Sequence, residues 1–414
     1  MSGLNAAAAG VAELSVVEGG VGAPAGFRTS GVHCGIKTTA GALDLTVIAS
    51  DTTAAAAGIF TTNLAVAAPV TVSRRHLAET GGRARAVVVN SGCANACTGG
   101  EGLANAERMA EETARTLGCS RSEVLVASTG VIGVGLPIDR VITGIQSASR
   151  TLARDKGSET ARAIMTTDPF PKEHAVVVQT SRGSFVVGGT AKGSGMIEPN
   201  MATMLGFLTT DAKVSPGRLH QALVASAYDT FNAITVDGEC STNDCLIALA
   251  SGASGIDIDD DTLPLLTAGM REVSRILALG VVRGGEGATK VIEVTVCNAS
   301  SDADARQVAR TIANSPLVKT AVHGADPNWG RIVAAAGRSG VTFDVGRATV
   351  HVGGVLLFEN GMPHDDAAPD AGKHLEGTDV RIEMSLGTGG NRSATIWTCD
   401  LSAEYVRING EYRT

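Results

Sequence analysis

The sequence predicts an α/β protein of layered α+β type, in which mixed sheets are covered by helices. Strand-like and helix-like segments alternate along the whole 414-residue chain. Several neighbouring strand segments are joined by short Gly- and Ser-containing turns that suit hairpins, which a purely parallel sheet does not need. Aromatic residues form 3% of the chain and hydrophobic residues 44%, so the core is expected to be closely packed Val, Ile, Leu and Ala. The length suits two or more domains, or one with a large insertion.

Taken in order, residues 1–30 read as a loosely held lead-in able to pair with a sheet. Leu43, Leu45 and Val47 alternate with Asp44 and Thr46, a strand pattern over 41–50. A second strand, 85–89, ends at Asn90-Ser91-Gly92-Cys93-Ala94-Asn95, a turn leading to a helix over 104–117. There Met109, Thr113 and Leu117 share a face with Ala106, Ala110 and Ala114, while Glu107, Arg108, Glu111, Glu112 and Arg115 lie opposite. Gly118 is placed to stop it. A strand at 123–127 opens into Ser128-Thr129-Gly130, and Pro137 precedes a helix reaching about residue 152. Strands 175–179 and 185–189 flank Ser181-Arg182-Gly183 as a hairpin. The second half gives a strand at 203–210, a helix at 216–230, the loop 235–244 and a helix at 263–279. A glycine loop (283–290), a strand (291–296) and a helix from Ser301 to Asn314 follow. Pro327 opens a further helix, and strands near 341–358 and 379–402 close the pattern.

Composition removes whole classes of function. The net charge is −8 and the pI about 5.5, with no basic stripe of the kind that binds nucleic acid. No apolar run approaches the roughly 18 residues that span a bilayer. The first residues lack a basic n-region and carry Glu13 and Glu18, so no secretory signal is read and a cytoplasmic protein is expected. The cysteines (Cys34, Cys93, Cys97, Cys119, Cys240, Cys245, Cys297, Cys399) form no CxxC pair, and Cys93 and Cys97 have no histidines at metal-finger spacing. Reduced, mostly buried thiols and no metal are expected. The glycine clusters at 130–135 and 284–287 fit neither the dinucleotide fingerprint nor a P-loop. The histidines are scattered and no GxSxG elbow accompanies them.

One stretch stands apart, Thr190 to Asp211. Glycines around Lys192 lead through Glu198-Pro199-Asn200 to a hydroxyl residue, Thr203, at the start of a strand. On local pattern alone Thr203 is an inward strand residue, because β-branched side chains suit strands. A threonine becomes a nucleophile only with a base, and a free α-amine of pKa about 7.7–8.0 can serve. That requires a cut between Ala202 and Thr203. Thr129 and Gly130 could supply a hydroxyl and a backbone N–H to an oxyanion.

The motifs KGSGMIEPNMATML (192–205), NSGCANACTG (90–99), STGVIG (128–133), MTTD (165–168), FNAITVDGECSTND (231–244), GGEGATK (284–290), DPNWGRI (326–332) and NGEYRT (409–414) stand in one order over essentially the whole chain. Together they resemble the ornithine acetyltransferase family of arginine biosynthesis, the bifunctional glutamate N-acetyltransferases. The resemblance implies a self-cleaving fold related to that of the β-aminopeptidases, divided into residues 1–202 and 203–414 and assembled as α2β2. It implies Thr203 as nucleophile, Thr129 and Gly130 as the oxyanion pair, and Glu286 as a group able to return a proton to the leaving amine. Thr166, Lys192, Thr203, Glu286, Asn409 and Thr414 would hold substrate, with Thr167 open beside Thr166. The implied reaction carries the acetyl group of N2-acetyl-L-ornithine to L-glutamate without a cofactor, and use of acetyl-CoA as co-substrate stays open. Two other readings predict different outcomes. A related self-processing amidohydrolase or aminopeptidase would pass the acyl group to water, and a non-catalytic binding protein would stay in one piece.

Overall fold

The structure, a computed structural model, describes residues 13–198 and 204–411. Ala202, Thr203 and Thr414 therefore lie outside the described residues. Among those described, two mixed sheets carry the architecture, each covered by helices, as the sequence predicts.

The larger sheet has nine strands: β1 (Leu14–Val17), β2 (Phe27–Val32), β3 (Leu45–Phe60), β4 (Arg83–Cys93), β5 (Val124–Val131), β6 (Lys172–Thr180), β7 (Gly183–Lys192), β8 (Leu205–Thr210) and β9 (Cys245–Ala250). Their spatial order is β1-β6-β7-β8-β9-β3-β4-β5, with β2 paired to β3. The 180–183 turn closes the expected hairpin, with Thr180 opposite Gly183. β8 is antiparallel to β7 and parallel to β9, and β9 returns antiparallel to β3. The lead-in pairs as read, β1 with β6 and β2 with β3.

Both faces of this sheet are covered. Met109 and Ala110 of α1 (Gly99–Leu117) and Val141 and Ile145 of α2 (Ile138–Arg150) pack on Val47, Val88 and Val126. Leu219 and Leu223 of α3 (Pro216–Tyr228) join Met270, Val273 and Leu277 of α4 (Leu263–Arg283) over β6–β9. The other face buries Ile48, Val87, Leu125, Phe207 and Ile247. This explains one departure from the sequence pattern. The alternation at 43–47 marks no solvated face, because Thr46 is buried and bonded to Ser30 O and Thr160 Oγ1. Asp44, also buried, accepts backbone N–H bonds from Cys34, Gly35, Ile36 and Lys37. The 90–93 segment likewise departs from the expected turn by continuing β4 alongside β5.

The smaller sheet has six strands in the order β13-β12-β11-β14-β10-β15, formed by β10 (Val291–Ala299), β11 (Thr349–Val352), β12 (Val355–Glu359), β13 (Met362–Pro363), β14 (Asp379–Ser385) and β15 (Arg392–Cys399). Its apolar face packs on Val308 and Ile312 of a helix at Asp302–Ala313, with Ser301 as the side-chain N-cap. The last described helix, Ala403–Glu411, follows β15 and reaches the loop at Glu286 through Asn409. All eight cysteines are free; three are buried, four half-buried and one, Cys97, exposed, a more open set than expected. No helix among the described residues is long and apolar enough to cross a membrane.

Candidate active site

A cavity of about 280 Å³ opens where the ends of β5 and β7 meet the 235–244 loop, the 284–287 glycine loop and the final helix. Thr129, Gly130, Thr166, Thr167, Lys192, Glu286 and Asn409 all line it. Every expected site residue that lies within the described chain is therefore in one place, although these positions span 280 residues of sequence. Met204 lines the cavity too, so the residue after Thr203 in the chain is in its wall. Both Thr166 and Thr167 face it.

Three of these side chains are polar and nearly dry: Thr129, Lys192 and Glu286 are 8%, 9% and 5% exposed. Lys192, the last residue of β7, donates from Nζ to Thr129 Oγ1 at 3.1 Å. An ammonium has only donors, so Thr129 must accept here and its own hydroxyl hydrogen is left free to donate. Gly130 has φ +126°, and a Cβ at that position would lie 2.3 Å from Gly92 C and 2.6 Å from Cys93 N. Only glycine lets β5 approach β4 this closely at the cavity rim.

Glu286 is held from two sides. Its backbone N–H donates to Ser194 O at 3.0 Å, and its Oε2 accepts from Asn409 Nδ2 at 2.7 Å. Gly195 gives the carboxylate room, since a Cβ there would fall 2.3 Å from Oε2. A C-terminal segment that sequence alone would leave frayed is thus a helix that reaches the site through Asn409.

Other residues of the site were not singled out from sequence. Asp168, the last residue of the MTTD motif, takes Lys172 Nζ at 2.6 Å, Thr166 N–H at 2.9 Å and Gly193 N–H at 2.8 Å. Burial pushes its carboxyl up, but Lys172 and Lys192 outweigh burial and hold it at about 2. Burial meanwhile depresses the Lys172 ammonium. Asp237 accepts the N–H groups of Met196 and Ile197 at 2.7 and 2.8 Å and the Tyr405 hydroxyl at 3.2 Å. Asn243 donates to Ala94 O and Ser128 O at 2.6 and 2.9 Å, tying the 235–244 loop to β5. Asp168, Asp237 and Asn243 lie inside the ordered motifs, but nothing in the sequence pattern separates them from ordinary loop polar residues. Among the described residues no group of three or more His, Cys, Asp or Glu is arranged to hold a metal ion.

The arrangement offers a buried cation, a hydroxyl with a free hydrogen, a glycine and a carboxylate around one small cavity. Those groups suit acyl transfer from a small charged amide. The ArgJ family model matches residues 28–414. The chain is 47% identical over 393 residues to an arginine biosynthesis bifunctional protein ArgJ of Chlorobaculum tepidum, covering 94% of this chain and 96% of the relative. It is also 47% identical over 398 residues to the protein of that name in Thermotoga neapolitana, covering 94% and 99%. Among solved structures, an ornithine acetyltransferase of Mycobacterium tuberculosis complexed with ornithine is similar at 42% identity. That match covers 46% of this chain and 100% of the solved chain, with a TM-score of 0.43.

Proposed function

The chain belongs to the ArgJ family, and on that premise we propose that it transfers the acetyl group of N2-acetyl-L-ornithine to L-glutamate in arginine biosynthesis, through an acetyl-Thr203 intermediate. The observation that carries the reading is the convergence of Thr129, Gly130, Thr166, Lys192, Glu286 and Asn409 on one cavity whose wall includes Met204.

Thr203 is freed by a cut after Ala202, giving chains 1–202 and 203–414 that assemble as α2β2 in the cytoplasm. Its Oγ attacks the acetyl carbonyl, with the new α-amine or a water as base. The oxyanion takes hydrogen bonds from the Thr129 hydroxyl and the Gly130 N–H; one such donor is worth about 2.7–4 kcal/mol in a dry site. Lys192 serves twice. One N–H turns the Thr129 hydroxyl toward the oxyanion, and the others are available to an amino-acid carboxylate. Glu286 returns a proton to the departing amine of ornithine, and Asn409 keeps its carboxylate in place. Glutamate enters the vacated site and removes the acetyl group, completing a ping-pong cycle without a cofactor. Thr414 joins the substrate contacts in this reading.

The test supplies acetylornithine and glutamate and follows N-acetylglutamate. Intact mass is expected to give two fragments for the wild type and one full-length chain for Thr203→Ala. Free acetate as the sole product would instead indicate a hydrolase. A parallel assay with acetyl-CoA and glutamate decides whether that donor is also used.

A further inference from the structure

One carboxyl of the cavity has no task in acyl transfer. Asp244 ends the 235–244 loop, immediately before β9; it lines the cavity and is 2% exposed. Ser241 hydrogen-bonds to its carboxyl, but Oδ2 is buried with no hydrogen-bond partner among the described residues. Leaving a buried acceptor unpaired costs about 1–3 kcal/mol, so an orphan oxygen in a reactive cavity calls for a function.

Its place in the sheet indicates which. β8 and β9 run parallel with Leu205 opposite Cys245, and Cys245 N–H donates to Met204 O at 3.0 Å. Carried back one residue, that register sets Asp244 against Met204. In the sequence Met204 directly follows the Ala202–Thr203 junction, so Asp244 faces the first described residue after the bond to be cut.

We propose that Asp244 is the acid of self-cleavage, giving a proton to the departing nitrogen of Thr203 and recovering one from the Thr203 hydroxyl. The inference rests on the cleavage reading above. In the first step the bond from Thr203 Oγ to the Ala202 carbonyl carbon forms and the Ala202–Thr203 peptide bond breaks. The nitrogen leaves as an amine with the proton of Asp244, and the hydroxyl proton restores the acid. Water then hydrolyses the ester, freeing the Ala202 carboxylate and the Thr203 hydroxyl. Burial supports the role by holding the Asp244 carboxyl well above the usual aspartate range, against the opposing pull of Ser241 and Lys192. The ionisable groups that face it are Lys192 at the end of β7, Cys240 in its own loop and Cys245 at the start of β9. Burial raises both thiols, Lys192 brings positive charge, and Asp237, Glu239 and Glu286 line the same cavity.

Full-length precursor made by cell-free translation, sampled over time on denaturing gels, tests this. Asp244→Asn is expected to cut about 100-fold more slowly, the scale of one general acid, and Asp244→Glu to regain much of the rate. The wild-type rate should fall as pH is raised and the acid form is lost, while the Asn variant stays flat. An Asn variant that cuts at the wild-type rate overturns the proposal. A wild-type rate that is flat or climbs with pH overturns it as well, and needs no Asp244 variant to fold. A wild-type chain that never divides refutes the cleavage reading itself rather than the part played by Asp244.

Discussion

Along the six-stranded sheet the dry side chains are mainly aliphatic, among them Ile292, Val294, Val296, Val350, Ile382 and Met384, whereas the mouth of the nine-stranded sheet buries Asp168, Lys172, Lys192, Asp244 and Glu286. Both sheets are covered by helices and both have closely packed aliphatic cores. Charged groups are buried elsewhere too, Asp44 before β3 and Asp400 after β15, but the rim gathers five of them, and that has a physical cost. Buried charges must be paired or carry shifted pKa values, while buried aliphatics need only fit. The smaller sheet therefore carries stability without chemistry, a scaffold for the 284–287 loop and the final helix, whereas the rim carries both.

The largest expected effect falls on the charged rim. Asp168→Asn leaves Lys172 buried without its partner and should cost about 3–5 kcal/mol of stability, read by denaturant unfolding; a loss well under that range would mean the rim tolerates an unpaired ammonium. The pH dependence has a fixed sign. Because the folded carboxyl sits at about 2, below its ordinary 3.8, its contribution is complete above the ordinary value and disappears as pH falls through about 2.

Ile382→Ala in the smaller sheet should cost about 2–5 kcal/mol yet leave kcat/KM unchanged at temperatures where the variant is folded. A drop in kcat/KM there would break the separation. Asn409→Ala should do the reverse: losing one hydrogen bond to the Glu286 carboxylate is worth about 1.5–3 kcal/mol, roughly 10- to 100-fold in kcat/KM, with the melting temperature unmoved. Smallest of all, Arg407→Ala removes ion pairs with Glu404 and Glu411 on the same helix, all exposed; screened surface pairs contribute little. Both activity and melting should match the wild type, and a fall in either would show that the whole helix, rather than Asn409, serves the site.

Sequence reading reached far where local signals were strong. The helix ending at Gly118 and the β6–β7 hairpin stand close to where periodicity and turn residues put them. It missed β9, whose sequence CLIALA is buried at every position and so shows no alternation; a short apolar run can be strand or helix until its neighbours are known. It also missed the helix Ala68–Glu79, where Val70 and Val72 mimic a strand and Pro69 resembles a break, although proline is tolerated in a first turn. In the site, Lys192 and Glu286 were legible only through a whole-chain resemblance. Asp244 stood within a quoted motif, but its unpaired oxygen arises from strands brought together across the sheet, and no spacing encodes that.

The place of β8 and β9 has a consequence for the lifetime of the enzyme. A chain divided ahead of β8 leaves β1–β7 on one fragment and sets two strands of the other into the middle of that sheet, between β7 and β3. The inserted pair is held by six residue pairs on each flank. Native sizing would then report one particle, and only denaturation would release two. After that release, reassembly is a meeting of separate molecules and depends on their concentration. The folded state would be reached easily once, while the chain is whole, and thereafter kept by the slowness of unfolding rather than by equilibrium.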